Sequence, residues 1–429
     1  MTRATRIRLL DVRSAPMRAF HLAWSAFFLC FLAWFAVAPL MPAIREDLGL
    51  TPRQIADSAI ASVAVTILAR VAIGRALDRH GPRRVYAWLL ASGSLPVLAM
   101  AFVASYEAFL LCRAAIGVLG ASFVVTQLHT SRMFAPSVVG TANAMAAGWG
   151  NLGGGAAQLA MPLLLALLAA LGVEAAPGWR VAMLAPGLAL LAMSVVYARL
   201  APDAPDGVRL ATPAARRAAP GGMRAALRDP RVWALHAAYG ACFGVELAMA
   251  NVGALYFHDR FGLGVGAAGA VAAAYGGMNL FTRALGGLAS DRAGARRGLA
   301  GRTALLGFLL IAEGVALVAF SRADALATAL PALLAVAVCV QLASGATFGI
   351  VPFVNPRALG AVAGLVGAGG NVGAVAAGFA LRATGLNPGG FFALGAAVVV
   401  VAAFASALAL WCEGRGREPG AVVLEGVTA

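Results

Sequence analysis

The chain has 429 residues, of which 61% are hydrophobic and only 12% charged, so it is too apolar for an ordinary soluble domain. The net charge of +15 comes from 33 basic residues, and all of them are arginine. This excess could indicate nucleic-acid binding, but the arginines cluster in alternate loops between apolar segments, which is a topology signal. The composition therefore argues against nucleic acid as a partner and predicts an all-α protein that crosses a lipid bilayer several times.

Apolar segments of about 20 residues, each long enough to cross a bilayer core of about 30 Å, recur from end to end. Residues 1–19 contain arginines and no apolar core, so no cleavable signal peptide is expected. Twelve spans are predicted, over residues 21–40, 54–76, 85–104, 108–127, 140–168, 179–198, 231–257, 269–288, 302–320, 325–351, 358–381 and 390–411.

The arginine-rich ends and loops alternate with short loops that carry few arginines. Basic loops stay in the cytoplasm, so both termini are predicted to be cytoplasmic in a multi-pass protein of the cytoplasmic (inner) membrane. Residues 201–230 form a long segment rich in proline and arginine. We expect it to be a cytoplasmic linker between an N-terminal six-helix bundle, residues 1–200, and a C-terminal six-helix bundle, residues 231–429.

One motif occurs in both halves, after the second and the eighth span, and reads R-x3-G-x3-D-R-x-G-x-R-R. Its first copy contains Arg70, Gly74, Asp78, Arg79 and Gly81, and its second copy contains Arg283, Gly287, Asp291, Arg292 and Gly294. An arginine inside apolar sequence costs roughly 2.5–3.5 kcal/mol at a helix centre. Two of them at equivalent places predict an anion site between the halves.

The remainder of this motif has a mechanical interpretation. Its glycines permit a tight turn and close helix approach, and its aspartates can pair with arginines or cap a helix of the neighbouring half. Such a latch at the cytoplasmic side would hold an outward-open state. The alternative is a basic loop that only sets topology. A duplicated chain of two parallel six-span halves predicts the major facilitator fold, with twelve transmembrane helices in two pseudo-symmetric bundles.

Spans 5 and 11 share a second duplicated element, G-N-x-G within a run of small residues. Its glycines are Gly148, Gly150 and Gly153 in span 5 and Gly369, Gly370 and Gly373 in span 11. Glycine at this spacing lets helices approach closely and slide. Asn151 and Asn371 are the strong hydrogen-bonding groups of the two runs. Their matching register favours a functional role for at least one of them, and both are candidates for substrate binding. The alternative is helix packing alone.

These residues resemble the nitrate/nitrite porters of the major facilitator superfamily over nearly the whole chain. The most specific stretches are Gly148-Trp-Gly-Asn-Leu-Gly-Gly-Gly155, Gly369-Gly-Asn-Val-Gly373 and Tyr239-Gly-Ala-Cys-Phe-Gly-Val-Glu246-Leu. The resemblance implies that Arg70 and Arg283 bind nitrate or nitrite and that Asn151 donates a hydrogen bond. It further implies an aromatic sandwich and a third pocket aromatic, formed by Phe123, Phe348 and Tyr239. His129 and Ser344 depart from the family pattern.

Uptake of an anion into a cell that is negative inside costs about 2.3 kcal/mol per charge per 100 mV, so a second ion is required. Potential-driven symport needs at least two protons per nitrate, whereas nitrate/nitrite exchange needs none. Glu246, near the middle of span 7, is the best candidate for proton coupling, because an unpaired carboxylate in apolar surroundings binds protons readily. Glu313 and His129 are weaker candidates. The alternative for Glu246 is a structural acceptor.

The stretch around Glu246 resembles the assimilatory branch of the family, which favours proton-coupled nitrate uptake by alternating access. Alternatives are a nitrate/nitrite antiporter, an exporter of organic anions or drugs, and a transport-incompetent nitrate sensor. An enzyme is not expected, because no nucleophile–base pair or phosphate loop is recognisable in the sequence. No cofactor and no metal are expected, and we expect a monomer.

Overall fold

The computed structural model describes residues 3–135, 138–206, 222–355 and 359–415, and in these ranges the regular secondary structure is helical apart from one isolated bridge between Ala4 and Phe134. The N-terminal half contains helices α1 (Ala15–Phe35), α2 (Met41–Leu48), α3 (Pro52–Ala99), α4 (Tyr106–Ile116), α5 (Ser122–Met133), α6 (Val139–Ala170) and α7 (Ala175–Leu200). The remainder contains α8 (Gly222–Arg228), α9 (Pro230–Phe261), α10 (Val265–Gly277), α11 (Thr282–Ser321), α12 (Leu326–Val354), α13 (Leu359–Thr384) and α14 (Pro388–Arg415). The predicted all-α class is confirmed.

Eleven segments within the described ranges are long and apolar enough to cross a membrane. One of them, Val265–Ser321, has 57 residues and is broken at Arg297 and Gly298, where the backbone leaves helical geometry. A segment of this length covers two crossings, since about 20 residues suffice for one. The count therefore agrees with the twelve predicted spans.

Helices α3 and α11 each contain two spans, and the breaks that divide them do not fall at equivalent glycines. In α3 the break is at Gly81, whose φ of 76° is a left-handed conformation that only glycine adopts readily. In α11 the corresponding Gly294 stays helical, and the left-handed residue is Gly298, with φ 59°. The prediction of a turn at Gly294 was wrong. A methyl group at Gly294 would meet the Arg302 guanidinium, so this glycine makes room for a side chain instead.

The halves repeat the same packing. Helix α1 packs on α6 in the N-terminal half as α9 packs on α13 in the C-terminal half, so spans 1 and 5 correspond to spans 7 and 11. Between the halves, α6 packs on α10 and α3 packs on α13. At the first of these crossings Gly155 and Gly276 approach so closely that a methyl group on either would overlap the backbone of the other. This contact is possible only because both residues are glycine.

Ion pairs between the halves lie at the end opposite the arginine-rich loops. Arg45 of α2 pairs with Asp259 of α9 at 2.6 Å, and Asp57 of α3 pairs with Arg382 of α13 at 2.7 Å. Near the arginine-rich end, Arg83 pairs with Asp203, which follows α7, and Arg302 pairs with Asp291 of its own helix. The Arg45–Asp259 and Asp57–Arg382 pairs thus join the halves at the same end.

Candidate functional site

Arg70 points into the space between the two halves. Its Nη1 donates to the carbonyl of Gly367 on α13, at 3.0 Å, and its Nη2 donates to the carbonyl of Gly120, at 3.4 Å. The guanidinium carbon lies 5.5 Å from the centre of the Phe123 ring, and Nε is buried without a described partner. Arg70 therefore does not extend to a membrane surface. Among the described residues it contacts carbonyl groups and a ring, and no carboxylate pairs with it.

Arg283 on α11 is buried, with 8% of its surface exposed, and it is neutralised. Its Nη2 donates to Oε2 of Glu246 on α9 at 2.5 Å, and its guanidinium carbon lies 5.3 Å from the centre of the Phe243 ring. Asn279 completes the arrangement by donating to the other oxygen, Oε1, at 2.8 Å. The expectation of an unpaired Glu246 was wrong, because an arginine and an amide both hold its carboxylate.

Aromatic rings connect the two arginines. Phe123 and Phe348 come from different halves, and their ring centres are 6.5 Å apart at an interplanar angle of 64°. Tyr239 meets Phe348 edge-on at 5.0 Å and stacks on Phe243 at 5.0 Å and 9°. The predicted aromatic residues are thus gathered in one cluster. In this conformation Phe123 and Phe348 meet edge to face, so they leave no parallel slot for a flat ion.

The glycine runs bring α6 against α1 and α13 against α9. A methyl group at Gly150 or Gly153 would overlap the Phe27 ring or the Phe28 carbonyl of α1. On α13, Gly369 and Gly373 face the backbone of α9, and Gly370 faces the Tyr239 and Phe243 rings. Gly148 is less constrained, since a methyl group there would lie 3.3 Å from the Asn279 carbonyl. The glycines of span 11 therefore set the position of the aromatic cluster.

The two asparagines of these runs are buried polar groups without partners. Asn151 is 4% exposed and Asn371 is fully buried, and no described group hydrogen-bonds to the amide nitrogen or oxygen of either one. Buried amides are nearly always hydrogen-bonded in proteins, so an unpartnered one calls for an explanation. Asn151 lines a small cavity between the halves together with Glu246, Asn279 and Tyr275. It can therefore offer a hydrogen bond beside the Arg283–Glu246 pair.

The loop ends of the duplicated motif do not join the halves in this conformation. Asp291 pairs with Arg302 of its own helix at 2.8 Å, while Arg79 and Arg292 are exposed. A methyl group at Gly74 or Gly287 would meet nothing within 4 Å. The Asp78 side chain lies outside the described part of the chain. The latch predicted for this motif thus has no described contact between the halves here.

Sequence reasoning missed Phe243 and Asn279, although both carried a signal. Phe243 follows Tyr239 by four residues and Asn279 precedes Arg283 by four, so each lies one helical turn from a predicted site residue. His129 and Ser344, the two residues that depart from the family pattern, each make hydrogen bonds within the protein. His129 contacts the Tyr197 hydroxyl and the Pro202 carbonyl, and Ser344 donates to Cys242.

Residues 23–378 match the Major Facilitator Superfamily. A bacterial homologue of the lysosomal transporter Spinster, solved in an inward-facing and unoccupied conformation, superposes with a TM-score of 0.73 at 17% identity, over 96% of this chain and 100% of that one. The fold and the paired halves define a major facilitator protein.

Two relatives narrow the class further. The high affinity nitrate transporter 2.5 of Arabidopsis thaliana is 41% identical over 377 residues, which are 87% of this chain and 75% of the relative. The nitrate/nitrite transporter NrtP of Nostoc punctiforme is 29% identical over 83% of this chain and 85% of its own length. Within the superfamily, the chain belongs to the nitrate/nitrite porter family.

Proposed function

We propose that the protein transports nitrate, and nitrite as a related ion, across the cytoplasmic membrane by alternating access, with uptake coupled to protons. The observation that carries this proposal is the pair of arginines at the two ends of one aromatic cluster, of which only Arg283 has a carboxylate partner among the described residues. Arg70 brings a positive charge to the interface that an anion can neutralise. The similarity to transporters of nitrate and nitrite supports the choice of ion and speaks against an enzyme.

The chemistry of the site suits a flat monovalent oxyanion. A guanidinium is planar and presents a fork of donors, which matches two oxygens of nitrate at once. Each arginine also retains a buried Nε without a described partner, so each has a donor to offer. A nitrate ion bound by Arg70 and Arg283 would lie among the rings of Phe123, Phe348 and Tyr239, with Asn151 and Asn371 as further hydrogen-bonding groups.

Glu246 links nitrate to a proton in this proposal. Its carboxylate occupies Arg283, so nitrate must compete with it for the same guanidinium. Once displaced, the carboxylate is a charge in an apolar interior and gains from binding a proton. Protonation releases Arg283 for nitrate, and nitrate favours protonation, as thermodynamic linkage requires. The Arg283–Glu246 ion pair of this conformation then corresponds to the transporter before nitrate and the proton have bound.

The same ion pair favours a second candidate, electroneutral nitrate/nitrite exchange. If Glu246 stays ionised on Arg283 through the cycle, the site works with Arg70 alone and needs no proton. An exporter of larger organic anions fits less well, because the cavity beside Asn151 is small and glycine contacts hold the helices close. A transport-incompetent nitrate sensor would use the same site, and it would differ from a transporter in showing no net nitrate transport.

The moving parts would be the two bundles, residues 1–200 and 231–429, joined by the linker 201–230. The Arg45–Asp259 and Asp57–Arg382 pairs close the end that faces away from the basic loops. Basic loops mark the cytoplasmic side, so this conformation corresponds to a transporter closed to the outside. One chain contains both arginines, so a monomer suffices for the site.

Uptake of nitrate into proteoliposomes, with pH and voltage set separately, tests the proposal. We expect inward nitrate movement when the outside is acidic, and loss of uptake in Arg70→Gln. Arg260→Gln removes an arginine whose pairing with Asp324 is remote from the site and serves as the matched control. Counterflow of nitrate against nitrite with no dependence on pH would select the antiporter instead. Absence of any nitrate movement in the wild type would refute both.

A further inference from the structure

Arg113 on α4 is a buried arginine outside the candidate site, and none of its surface is exposed. Its Nη2 donates to Oδ1 of Asn251 at 2.8 Å, its Nη1 donates to the Trp34 carbonyl at 3.4 Å, and its Nε is buried without a described partner. Both acceptors are neutral, and among the described residues no carboxylate pairs with this guanidinium. A buried cation is costly unless an opposite charge pairs with it. Arg113, like Arg70, therefore retains a charge that an anion can neutralise.

The groups around this guanidinium come from both halves of the protein. Arg113 and Trp34 belong to the N-terminal half, on α4 and α1, whereas Asn251 belongs to the C-terminal half, on α9. The chain neighbours of Trp34 and Asn251 line the small cavity that contains Glu246. Arg113 thus lies between the halves and beside the cavity of the candidate site.

Arg113 lies closer than Arg70 to the end opposite the arginine-rich loops. Helix α4 begins at that end with Tyr106, seven residues before Arg113, which corresponds to roughly 10 Å along the helix. Helix α3 begins at the same end with Pro52, 18 residues before Arg70, which corresponds to roughly 27 Å. The two arginines therefore occupy different depths of the interface.

The order of contacts along α9 gives the same result. Asp259, near the end of α9, pairs with Arg45, and Asn251 follows eight residues further inward with its contact to Arg113. Glu246 of the candidate site lies five residues further inward again. An ion that moves from the closed end to the site along this interface must pass Arg113.

Close packing fixes Arg113 on the N-terminal half. A methyl group at Gly117, one helical turn after Arg113, would overlap the Ser62 carbonyl of α3, and the Trp34 indole donates to the Ser62 hydroxyl at 2.7 Å. Separation of the halves would therefore remove Asn251 and leave Arg113 with the Trp34 carbonyl. The freed Nη2 and the unpartnered Nε lie on one edge of the guanidinium. Two parallel donors on one edge are the fork that binds two oxygens of an oxyanion.

We propose that Arg113 is a second anion site, which captures nitrate on its way from the outside to Arg70 and Arg283. This inference rests on the proposed function. In the conformation open to the outside, nitrate takes the place of Asn251 at Nη2 and binds the edge formed by Nη2 and Nε. Nitrate and Asn251 compete for the same donor, so nitrate at Arg113 also favours the open conformation. The closed conformation returns Nη2 to Asn251 once nitrate has moved on.

The half-saturating nitrate concentration, measured separately at each side of the membrane, tests this proposal. Tracer nitrate exchange in right-side-out vesicles reports the outer side, and the same exchange in inside-out vesicles reports the cytoplasmic side. We expect Arg113→Gln to raise the outer value about tenfold, the effect of losing one hydrogen bond to a charged group, and to leave the cytoplasmic value unchanged. Arg260→Gln removes an arginine at the same end and is the matched control, with wild-type values on both sides.

Replacement of Asn251 distinguishes an anion site from a contact that only holds the halves together. Asn251→Ala frees Nη2 of Arg113, so we expect the outer half-saturating concentration to fall by roughly two- to tenfold. A contact that only holds the halves together is lost in Asn251→Ala and Arg113→Gln alike, and both variants would then shift the outer value in the same direction. Shifts in the same direction, or a wild-type outer value in Arg113→Gln, overturn the proposal.

The test remains decisive if Arg113→Gln does not fold, because Asn251→Ala keeps the arginine. An outer half-saturating concentration in Asn251→Ala that is equal to or above the wild-type value overturns the anion site. Failure of this inference is also distinguishable from failure of the proposed function. Wild-type protein that exchanges nitrate while the Arg113 and Asn251 variants behave like it refutes the second site alone, whereas wild-type protein that moves no nitrate refutes both.

Discussion

Glu246 holds Arg283 by a 2.5 Å ion pair between α9 and α11, while Arg70, its counterpart in the other half, donates to the Gly367 and Gly120 carbonyls. The duplicated arginines are equivalent in sequence and different in charge environment. This asymmetry means that an anion meets one available guanidinium and one that must first be released. Proton coupling in the proposed cycle follows from that difference.

Replacement of Glu246 by glutamine should make nitrate affinity independent of pH. The amide cannot compete for Arg283 as an ion, so we expect nitrate to bind about tenfold more tightly near neutral pH, since a charge-assisted bond of about 1.4 kcal/mol no longer opposes it. Wild-type affinity should strengthen as the pH falls, because the displaced carboxylate takes up a proton. Titration of purified protein with nitrate at several pH values measures both effects. An unchanged pH dependence in Glu246→Gln, with Glu107→Gln as control, would show that Glu246 is a structural acceptor.

We predict that loss of a single ring from the aromatic cluster weakens nitrate binding. Phe348→Ala removes contacts with Phe123 and Tyr239, and aromatic pairs contribute about 0.5–1.5 kcal/mol beyond buried area. We expect nitrate affinity to fall roughly two- to tenfold, as read from the concentration dependence of uptake. Phe404 is 61% exposed, so Phe404→Ala serves as the control. Equal effects of the two substitutions would argue against a ring-lined anion site.

Gly370 should tolerate no side chain, because a methyl group there would come within 2.9 Å of the Tyr239 ring and would overlap the Phe243 ring. Overpacking of this kind costs about 1–3 kcal/mol, and here it also displaces the cluster between the arginines. We predict that Gly370→Ala lowers both the thermal unfolding midpoint in detergent and nitrate affinity. Gly266 lies in open space, and Gly266→Ala should leave both unchanged. A fully active Gly370→Ala protein would contradict the assigned packing.

Closure at the end opposite the basic loops should respond to charge reversal. Arg45→Glu places a like charge against Asp259 and should favour opening of that end, whereas the double change with Asp259→Arg restores the pair. The pair is partly exposed, and such pairs contribute about 0–1 kcal/mol, so we expect a shift of a few-fold in conformer ratio. Labelling of a cysteine introduced between the halves at that end reports the shift. If the double variant labels like the single one, the pair does not stabilise closure.

The fold could be predicted because bilayer thickness fixes the length of each apolar segment, and the duplicated motif identifies the two halves. Local backbone geometry was harder to predict. The break in α11 falls at Gly298, while Gly294 accommodates the Arg302 side chain, a contact that no motif records. The pairing of Glu246 could not be predicted, since it depends on how α9 and α11 pack. Asn279 could have been predicted, because it lies one helical turn before Arg283.

Equilibrium binding of nitrate to purified Arg70→Gln and Arg283→Gln, beside Arg260→Gln, tests the two-arginine site most directly. We predict that each site variant loses nitrate affinity by at least about tenfold, since each removes a charge-assisted contact. Arg260→Gln should bind nitrate as the wild type does. Wild-type nitrate affinity retained in both Arg70→Gln and Arg283→Gln would contradict the site.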